Sequence, residues 1–132
     1  LNLQCNFFAR RIVSWSLAHP ESKTSEVLKA YTDPFPTPSS RMGIYVFPRS
    51  VRGSAEWVET IEGKLARLQD KPVELVWAMQ DVVFGNEAII KRWLNYFPDA
   101  PLDRIADAKH YLQEDNPERV AAGIQRLLDR LA

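Results

Sequence analysis

The sequence lacks the features that mark several common classes of protein. The single cysteine among its 132 residues, Cys5, has no partner for an internal disulfide, which fits a reducing cytoplasm. Its 17 basic and 17 acidic side chains cancel, so the surplus of Lys and Arg on which phosphate binding depends is missing. The apolar runs are far shorter than the ~20 residues that cross a bilayer. We therefore expect neither nucleic acid nor a membrane as partner.

Histidine is also scarce. Two histidines, His19 and His110, and one cysteine form no group with the spacing of a zinc site, so we expect no metal. The chain starts at Leu1, and no basic stretch precedes an apolar one, so we expect no signal peptide and a start within a longer protein. The hydrophobic fraction of 45% is that of a globular domain.

The N-terminal third is predicted to be helical. Phe8, Ile12 and Trp15 recur at i, i+4 and i+7, which predicts an amphipathic helix over residues 4–17. A second, short helix is predicted over residues 22–31, with Ser22 or Thr24 as the N-terminal cap. Three prolines within five positions then predict an ordered or extended loop.

The remainder alternates between helices and strands. The apolar, β-branched run over residues 73–79 predicts a strand buried on both faces, and residues 102–106 predict a weaker second strand. Helices are predicted over residues 54–70, over residues 89–97 and from Asn116 onward. The last helix is predicted to bury four apolar side chains, Val120, Ile124, Leu127 and Leu131, and to solvate its charges. This order is typical of the end of a doubly wound α/β fold, and two strands are too few for its sheet.

Two polar residues follow the predicted strands and are the candidates for chemistry. Asp81 comes directly after the first strand, and His110 comes just after the second. Because functional groups gather at the carboxyl ends of parallel strands, we expect both at the same edge of the sheet. Neighbouring strands lie ~5 Å apart, so the carboxylate can reach the imidazole. An Asp that holds one ring nitrogen leaves the other to act as a base.

The segment His110-Tyr111-Leu112-Gln113-Glu114-Asp115-Asn116-Pro117-Glu118 resembles the catalytic-histidine segment of haloalkane dehalogenases. These are α/β-hydrolases that cut carbon–halogen bonds. Further matches occur upstream in the family's order: Asn6-Phe7-Phe8, Tyr31 with Pro34-Phe35, Arg41, Phe47-Pro48, Pro72 to Trp77, and Arg92-Trp93 with Phe97-Pro98. The resemblance covers essentially all of the chain.

The resemblance implies an α/β fold: the C-terminal part of an α/β-hydrolase, with its last two parallel strands and flanking helices, preceded by a helical cap segment. Residues 1–51 would be part of the cap domain, and residues 52–132 the C-terminal part of the core domain. It implies that His110 is the general base that activates water and that Asp81 is its carboxylate partner. Lys109 and Ala78 stand where the family usually has glycine, and a need for positive φ at Lys109 would displace His110.

The nucleophile that the resemblance implies is absent. The elbow motif G-x-D-x-G needs glycines four residues apart, and none of the five glycines, at 43, 53, 63, 85 and 123, is so spaced. We therefore expect the chain to be inactive alone and the complete protein to hydrolyse carbon–halogen bonds through an alkyl-enzyme ester. Its partners would be a small apolar, halogenated substrate and a halide ion, and no cofactor is required, because halide is a stable leaving group.

Several aromatic residues are candidates for the substrate pocket, and other functions stay open. Phe7, Phe8 and Phe35 are predicted to line an apolar pocket under the cap. Trp15 lies where one subfamily keeps a halide-binding tryptophan, although packing is the favoured interpretation. The alternatives are a fragment of an epoxide hydrolase or serine esterase of the same fold, and a non-catalytic interaction module. The isolated chain is expected to self-associate.

Overall fold

The structure is a computed structural model that describes residues 2–131. Leu1 and Ala132, the two ends of the predicted domain ranges, lie outside the described residues. The first half contains α1 (Asn2–Cys5), a π-helix (Phe8–Ile12), α2 (Val13–Trp15), a 3₁₀ turn (Pro20–Ser22), α3 (Ser25–Thr32), α4 (Met42–Gly53), α5 (Ala55–Glu62) and a second 3₁₀ turn (Leu65–Leu68). The second half contains β1 (Leu75–Ala78), α6 (Glu87–Tyr96), β2 (Leu102–Ile105), α7 (Leu112–Asp115) and α8 (Pro117–Asp129).

The two strands form the parallel pair that the sequence predicts. Leu75 of β1 lies opposite Leu102 of β2, and Ala78 lies opposite Ile105. Helix α6 connects them, which is the crossover that parallel strands require. Ala78 and Ile105 form a buried cluster with Ala108, and Val76 packs against it. The expected burial of β1 on both faces is incomplete, because Val76 and Trp77 are only half-buried beside a single neighbouring strand.

The single helix predicted over residues 4–17 is divided into three pieces. Asn6 interrupts it with φ of 50°, the one positive φ among the described residues other than glycine. Asparagine tolerates this left-handed conformation better than most residues. The Asn6 side chain is buried and donates to the Phe35 carbonyl oxygen at 3.4 Å. The predicted second helix begins at Ser25, after Thr24, whose hydroxyl oxygen accepts from the Val27 N–H at 3.2 Å.

Helix α4 lies in a stretch for which periodicity predicts no helix, although the resemblance implies cap helices up to residue 51. The proline-rich stretch before it forms the predicted loop. That loop is confined to turns before α4, and Pro48 lies inside the helix. The buried guanidinium of Arg41 precedes α4 and holds the loop in place. It donates to the carbonyl oxygens of Phe35 and Pro36 at 2.9 and 2.8 Å, and to those of Leu3 and Gln4 at 2.9 and 3.1 Å.

Helix α8 turns to the sheet a face that only partly matches the one predicted. A Cβ added to Gly123 would lie 2.7 Å from Cγ2 of Val76, so this helix approaches β1 closely at the glycine. Ile124 and Leu131 are exposed, which contradicts their predicted burial, while Val120 and Leu127 are half-buried.

The charges of α8, predicted to be solvated, form ion pairs with the strand region. Arg126 and Arg130 contact the Glu74 carboxylate at 2.7 and 2.8 Å, and Arg119 pairs with Asp103. Pro117 occupies the first turn of α8 as expected, but Asn116 makes no side-chain cap, and its Nδ2 is buried without a hydrogen-bond partner among the described residues.

The described helices include none with the length and apolarity needed to cross a bilayer.

Candidate functional site

The structure brings Asp81 and His110 together at the carboxyl edge of the sheet. Nδ1 of His110 lies 2.9 Å from Oδ2 of Asp81. The Asp81 side chain is 8% exposed, whereas that of His110 is 44% exposed. The carboxylate is therefore an interior partner, and the imidazole is the member of the pair that meets solvent.

Backbone hydrogen bonds join the two loops that carry this pair. Beyond the last residue of β1, the Met79 N–H donates to the Ile105 carbonyl at 2.9 Å. The Gln80 N–H then donates to the Ala108 carbonyl at 2.9 Å. The pairing of the strands thus continues into both loops and fixes the distance between Asp81 and His110.

The loop after β1 holds the Asp81 carboxylate in one orientation. Its Oδ1 accepts from the Val83 N–H at 2.8 Å, which leaves Oδ2 for the histidine. The Gly85 N–H donates to the Asp81 carbonyl at 2.8 Å and closes the loop. A Cβ added to Gly85 would lie 2.5 Å from that carbonyl oxygen, so the turn requires glycine.

Two aromatic rings contact the imidazole. The Phe84 ring is stacked on His110 with centroids 5.9 Å apart, and the Tyr111 ring meets it edge-on at 5.4 Å. Burial raises the pKa of the Tyr111 phenol above its ordinary value. When Nδ1–H donates to Asp81, the lone pair lies on Nε2, and this nitrogen can accept a proton from water.

The two residues that replace the family's glycines leave the pair in place. Neither Lys109 nor Ala78 has a positive φ, because Asn6 is the one such residue other than glycine in the described chain. The displacement of His110 that a positive φ at Lys109 would cause is therefore not observed. The Lys109 N–H donates instead to Oδ2 of Asp115 at 2.9 Å.

An apolar cavity of about 280 Å³ adjoins the pair. Asp81 and His110 line it together with Ser16, Gln80 and Lys109. Six apolar or aromatic residues complete the lining: Phe8, Ile12, Trp15, Val82, Val83 and Tyr111. The stripe of Phe8, Ile12 and Trp15 that predicted a helix thus faces the candidate site.

The predicted pocket residues differ in their positions. Phe8 lines the cavity, whereas Phe7 and Phe35 are not among its described lining residues, and their role stays a prediction. Trp15, for which packing was favoured, lines the cavity and is 58% exposed. Val82, Val83 and Tyr111 were not singled out, although their adjacency to Asp81 and His110 is the signal that would have found them.

The described residues contain no group of three or more His, Cys, Asp or Glu side chains that could hold a metal ion. The cavity combines the Asp81–His110 pair with an apolar wall.

Comparison with known proteins identifies relatives of this chain. No protein-family model matches the chain. It is 34% identical over 123 residues to haloalkane dehalogenase 2 of Mycobacterium bovis, an alignment that covers 92% of this chain and 42% of the relative. The chain is homologous to the C-terminal part of haloalkane dehalogenases. The resemblance drawn from the His110 segment is thereby confirmed.

Haloalkane dehalogenases also share its fold. A loop variant of the haloalkane dehalogenase DbeA from Bradyrhizobium elkanii superimposes with a TM-score of 0.78 at 23% identity, over 98% of this chain and 45% of that one. The expected α/β fold, the C-terminal part of an α/β-hydrolase, is therefore confirmed. The chain spans less than half the length of these dehalogenases.

A more distant relative carries a different name. The protein named cis-3-alkyl-4-alkyloxetan-2-one decarboxylase from Shewanella oneidensis is 25% identical over 107 residues, which cover 77% of this chain and 33% of that protein. The name of this relative thus differs from that of the dehalogenases.

Proposed function

We propose that this chain is the C-terminal part of a haloalkane dehalogenase-like hydrolase and that it supplies the base, His110, and its partner, Asp81. The observation that carries the proposal is the 2.9 Å contact between these side chains in the wall of an apolar cavity. In this proposal, residues 1–51 belong to the cap and residues 52–132 to the core domain. The exposed, free Cys5 fits a cytoplasmic location.

The proposed reaction has two steps. An aspartate outside this chain attacks the carbon that bears the halogen, the carbon–halogen bond breaks, and halide leaves with the bonding electrons. His110 then takes a proton from water through Nε2, and the resulting hydroxide attacks the ester carbonyl. The ester breaks to release an alcohol and to restore the aspartate, while Asp81 stabilises the imidazolium.

The cavity suits a small halogenated alkane as substrate. Phe8, Ile12 and Trp15 contribute apolar surface to it from the N-terminal helical pieces. Val82 and Val83 contribute apolar surface from the loop after β1. Such a wall binds an alkyl chain by removing it from water and offers little to a strongly polar substrate.

The test uses the complete protein with His110→Ala and 1-bromobutane. The first step does not need the base, so the variant should release about one halide per molecule and retain an alkyl adduct that mass spectrometry detects. The matched control is His19→Ala, because His19 also lies near a carboxylate, Asp107 at 3.5 Å, but not in the cavity. Normal turnover by His110→Ala would refute the role of His110.

A second experiment concerns the chain alone. Without a nucleophile, His110 has no ester to hydrolyse, so the 132-residue chain should release no halide from 1,2-dibromoethane above background. Release that His110→Ala abolishes would contradict the assignment of the nucleophile to a segment outside this chain.

The second candidate function is hydrolysis of an epoxide or an ester on the same fold. The relative named as a decarboxylase supports an activity other than dehalogenation, because it is similar to this chain while its name differs. The acid–base pair serves these reactions unchanged, and the missing nucleophile decides among them. Turnover of styrene oxide or p-nitrophenyl acetate without halide release from 1-bromobutane would favour it.

A further inference from the structure

The carboxylate of Asp115, the last residue of α7, joins two segments that are distant in the sequence. It accepts from the Ala18 N–H at 2.8 Å on Oδ1 and 3.0 Å on Oδ2, and from the His19 N–H at 3.3 Å. Its Oδ2 also accepts from the Lys109 N–H at 2.9 Å. One side chain therefore holds the residues that follow α2 and the residue that precedes His110.

These two segments carry opposite parts of the candidate site. Ala18 follows the helical pieces whose residues Phe8, Ile12 and Trp15 form the cavity wall. Lys109 precedes the histidine directly. The position of His110 relative to that wall thus depends on a carboxylate that is not among the described lining residues of the cavity.

We propose that Asp115 is a positioning residue that sets the placement of His110 against the cavity wall. It acts on the reaction through its hydrogen bond to the Lys109 backbone and does not contact the reacting atoms. Its effect on catalysis rests on the proposed function. A carboxylate suits this place because both oxygens only accept hydrogen bonds. An amide at the same position would point an NH₂ group at one of the backbone N–H donors.

The neighbouring residue strengthens the same connection. The Glu114 carboxylate accepts from the Tyr31 hydroxyl at 2.8 Å, and the Glu114 carbonyl accepts from the Ser22 hydroxyl at 2.9 Å. The Tyr31 ring meets the Tyr111 ring edge-on at 5.0 Å, beside His110. Glu114 thus fastens α3 and the 3₁₀ turn before it to α7, next to Asp115.

The first test measures the two chemical steps separately in the complete protein. Asp115→Asn should slow ester hydrolysis by about 10- to 100-fold, the loss expected when a hydrogen bond to a charged group is removed. The alkylation step should keep its wild-type rate, because its nucleophile lies elsewhere, so alkyl-enzyme should accumulate during turnover. Overall destabilisation would lower both steps together, and that result would overturn the proposal.

Two further variants sharpen this test. Asp99→Asn removes an exposed carboxylate in the turn before β2 and should change neither step. Asp115→Glu keeps the charge but moves it by one methylene, and it should also slow hydrolysis selectively. Should Asp115→Asn fail to fold, a wild-type hydrolysis rate in Asp115→Glu would still overturn the proposal.

The second test does not depend on activity. Hydrogen exchange followed by mass spectrometry should show faster exchange in Asp115→Asn around both Ala18 and Lys109, and no change in Asp99→Asn. Unchanged exchange at either segment would overturn the proposal. If the wild type forms no alkyl-enzyme, the proposed dehalogenase function fails, while the exchange result still decides the role of Asp115.

Discussion

The two oxygens of Asp81 have different partners, and this division explains what the residue contributes. Oδ1 accepts from the Val83 N–H and fixes the carboxylate in its loop, while Oδ2 lies against Nδ1 of His110. In the proposed mechanism, this buried carboxylate stabilises the imidazolium that forms when His110 takes a proton from water.

Asp81→Asn should therefore lower turnover of the complete protein by about 10²–10⁴-fold, as for the carboxylates of catalytic triads. An amide in this place either turns its NH₂ toward the Val83 N–H or offers a donor to the histidine, and both choices disturb the tautomer. Steady-state halide release measures the effect. Asp107→Asn, which changes the carboxylate beside His19, is the control and should retain the wild-type rate. Wild-type turnover by Asp81→Asn would remove Asp81 from the site.

Tyr31 gives a prediction about pH. Burial, followed by the hydrogen bond to Glu114, raises the pKa of Tyr31 to about 12. The folded-state pKa lies above the ordinary value of about 10, so the phenol stabilises the fold fully below pH 10 and loses that contribution as the pH approaches 12. In a stopped-flow pH jump, the absorbance step at 295 nm that Tyr31→Phe removes should lie near pH 12. If the step that Tyr31→Phe removes lay near pH 10 instead, the burial of Tyr31 and its hydrogen bond to Glu114 would be contradicted.

At the scale of elements, the loop over residues 81–85 joins β1 to the turn before α6 and depends on Gly85. A methyl group there would also lie 2.8 Å from the Met79 carbonyl oxygen, and backbone atoms cannot move aside as a flexible side chain does. Gly85→Ala should lower the free energy of unfolding by about 1–3 kcal/mol and weaken the contact between Asp81 and His110.

Urea unfolding and halide release measure both consequences of Gly85→Ala. Gly43→Ala is the matched control, because an added methyl there meets none of the described atoms within 4 Å. Since Gly43 lies in α4, alanine should leave the free energy of unfolding unchanged or raise it by up to about 1 kcal/mol. Equal effects of the two substitutions would show that the loop tolerates a side chain.

The strands, their pairing and helix α3 could be predicted from the sequence, but the division of the first predicted helix could not. The apolar run ending at Ala78 is a local signal, and parallel pairing then brings Asp81 toward His110. The interruption at Asn6 depends on a carbonyl of Phe35, which is remote in the sequence. Periodicity also misjudged α8, because the close approach at Gly123 and the ion pairs of Glu74 decide which face meets the sheet.

The candidate site could also be predicted from the sequence only in part. The proximity of Asp81 and His110 follows from the strand ends. Of the predicted pocket residues Phe7, Phe8 and Phe35, Phe8 alone is among the described lining residues of the cavity. The role of Asp115 depends on three backbone donors in two distant segments, and no sequence pattern indicates where backbone N–H groups will point.

At the scale of the whole molecule, the described chain leaves much apolar surface uncovered. Each of the two strands has one edge without a neighbouring strand in the described sheet. Large exposed apolar side chains occur on several helices, among them Phe47 on α4, Trp57 on α5, and Ile124 and Leu128 on α8. Large apolar side chains exposed in this number indicate surfaces that contact another part of a protein or another chain.

We therefore predict that the isolated chain associates with itself. Burying each large apolar side chain is worth about 1.5–3 kcal/mol, so several left exposed forgo an amount comparable with the ~5–15 kcal/mol stability of a domain. Open strand edges add unpaired backbone donors and acceptors. Sedimentation velocity should show oligomers or aggregates, with weak near-ultraviolet circular dichroism.

Ile124→Lys with Leu128→Lys should shift the chain toward monomer, because charge on the exposed face of α8 opposes its burial. Gln125→Lys, a polar position on the same helix, should not. A monodisperse wild-type monomer with a cooperative thermal transition would contradict this prediction and favour an independently folding interaction module.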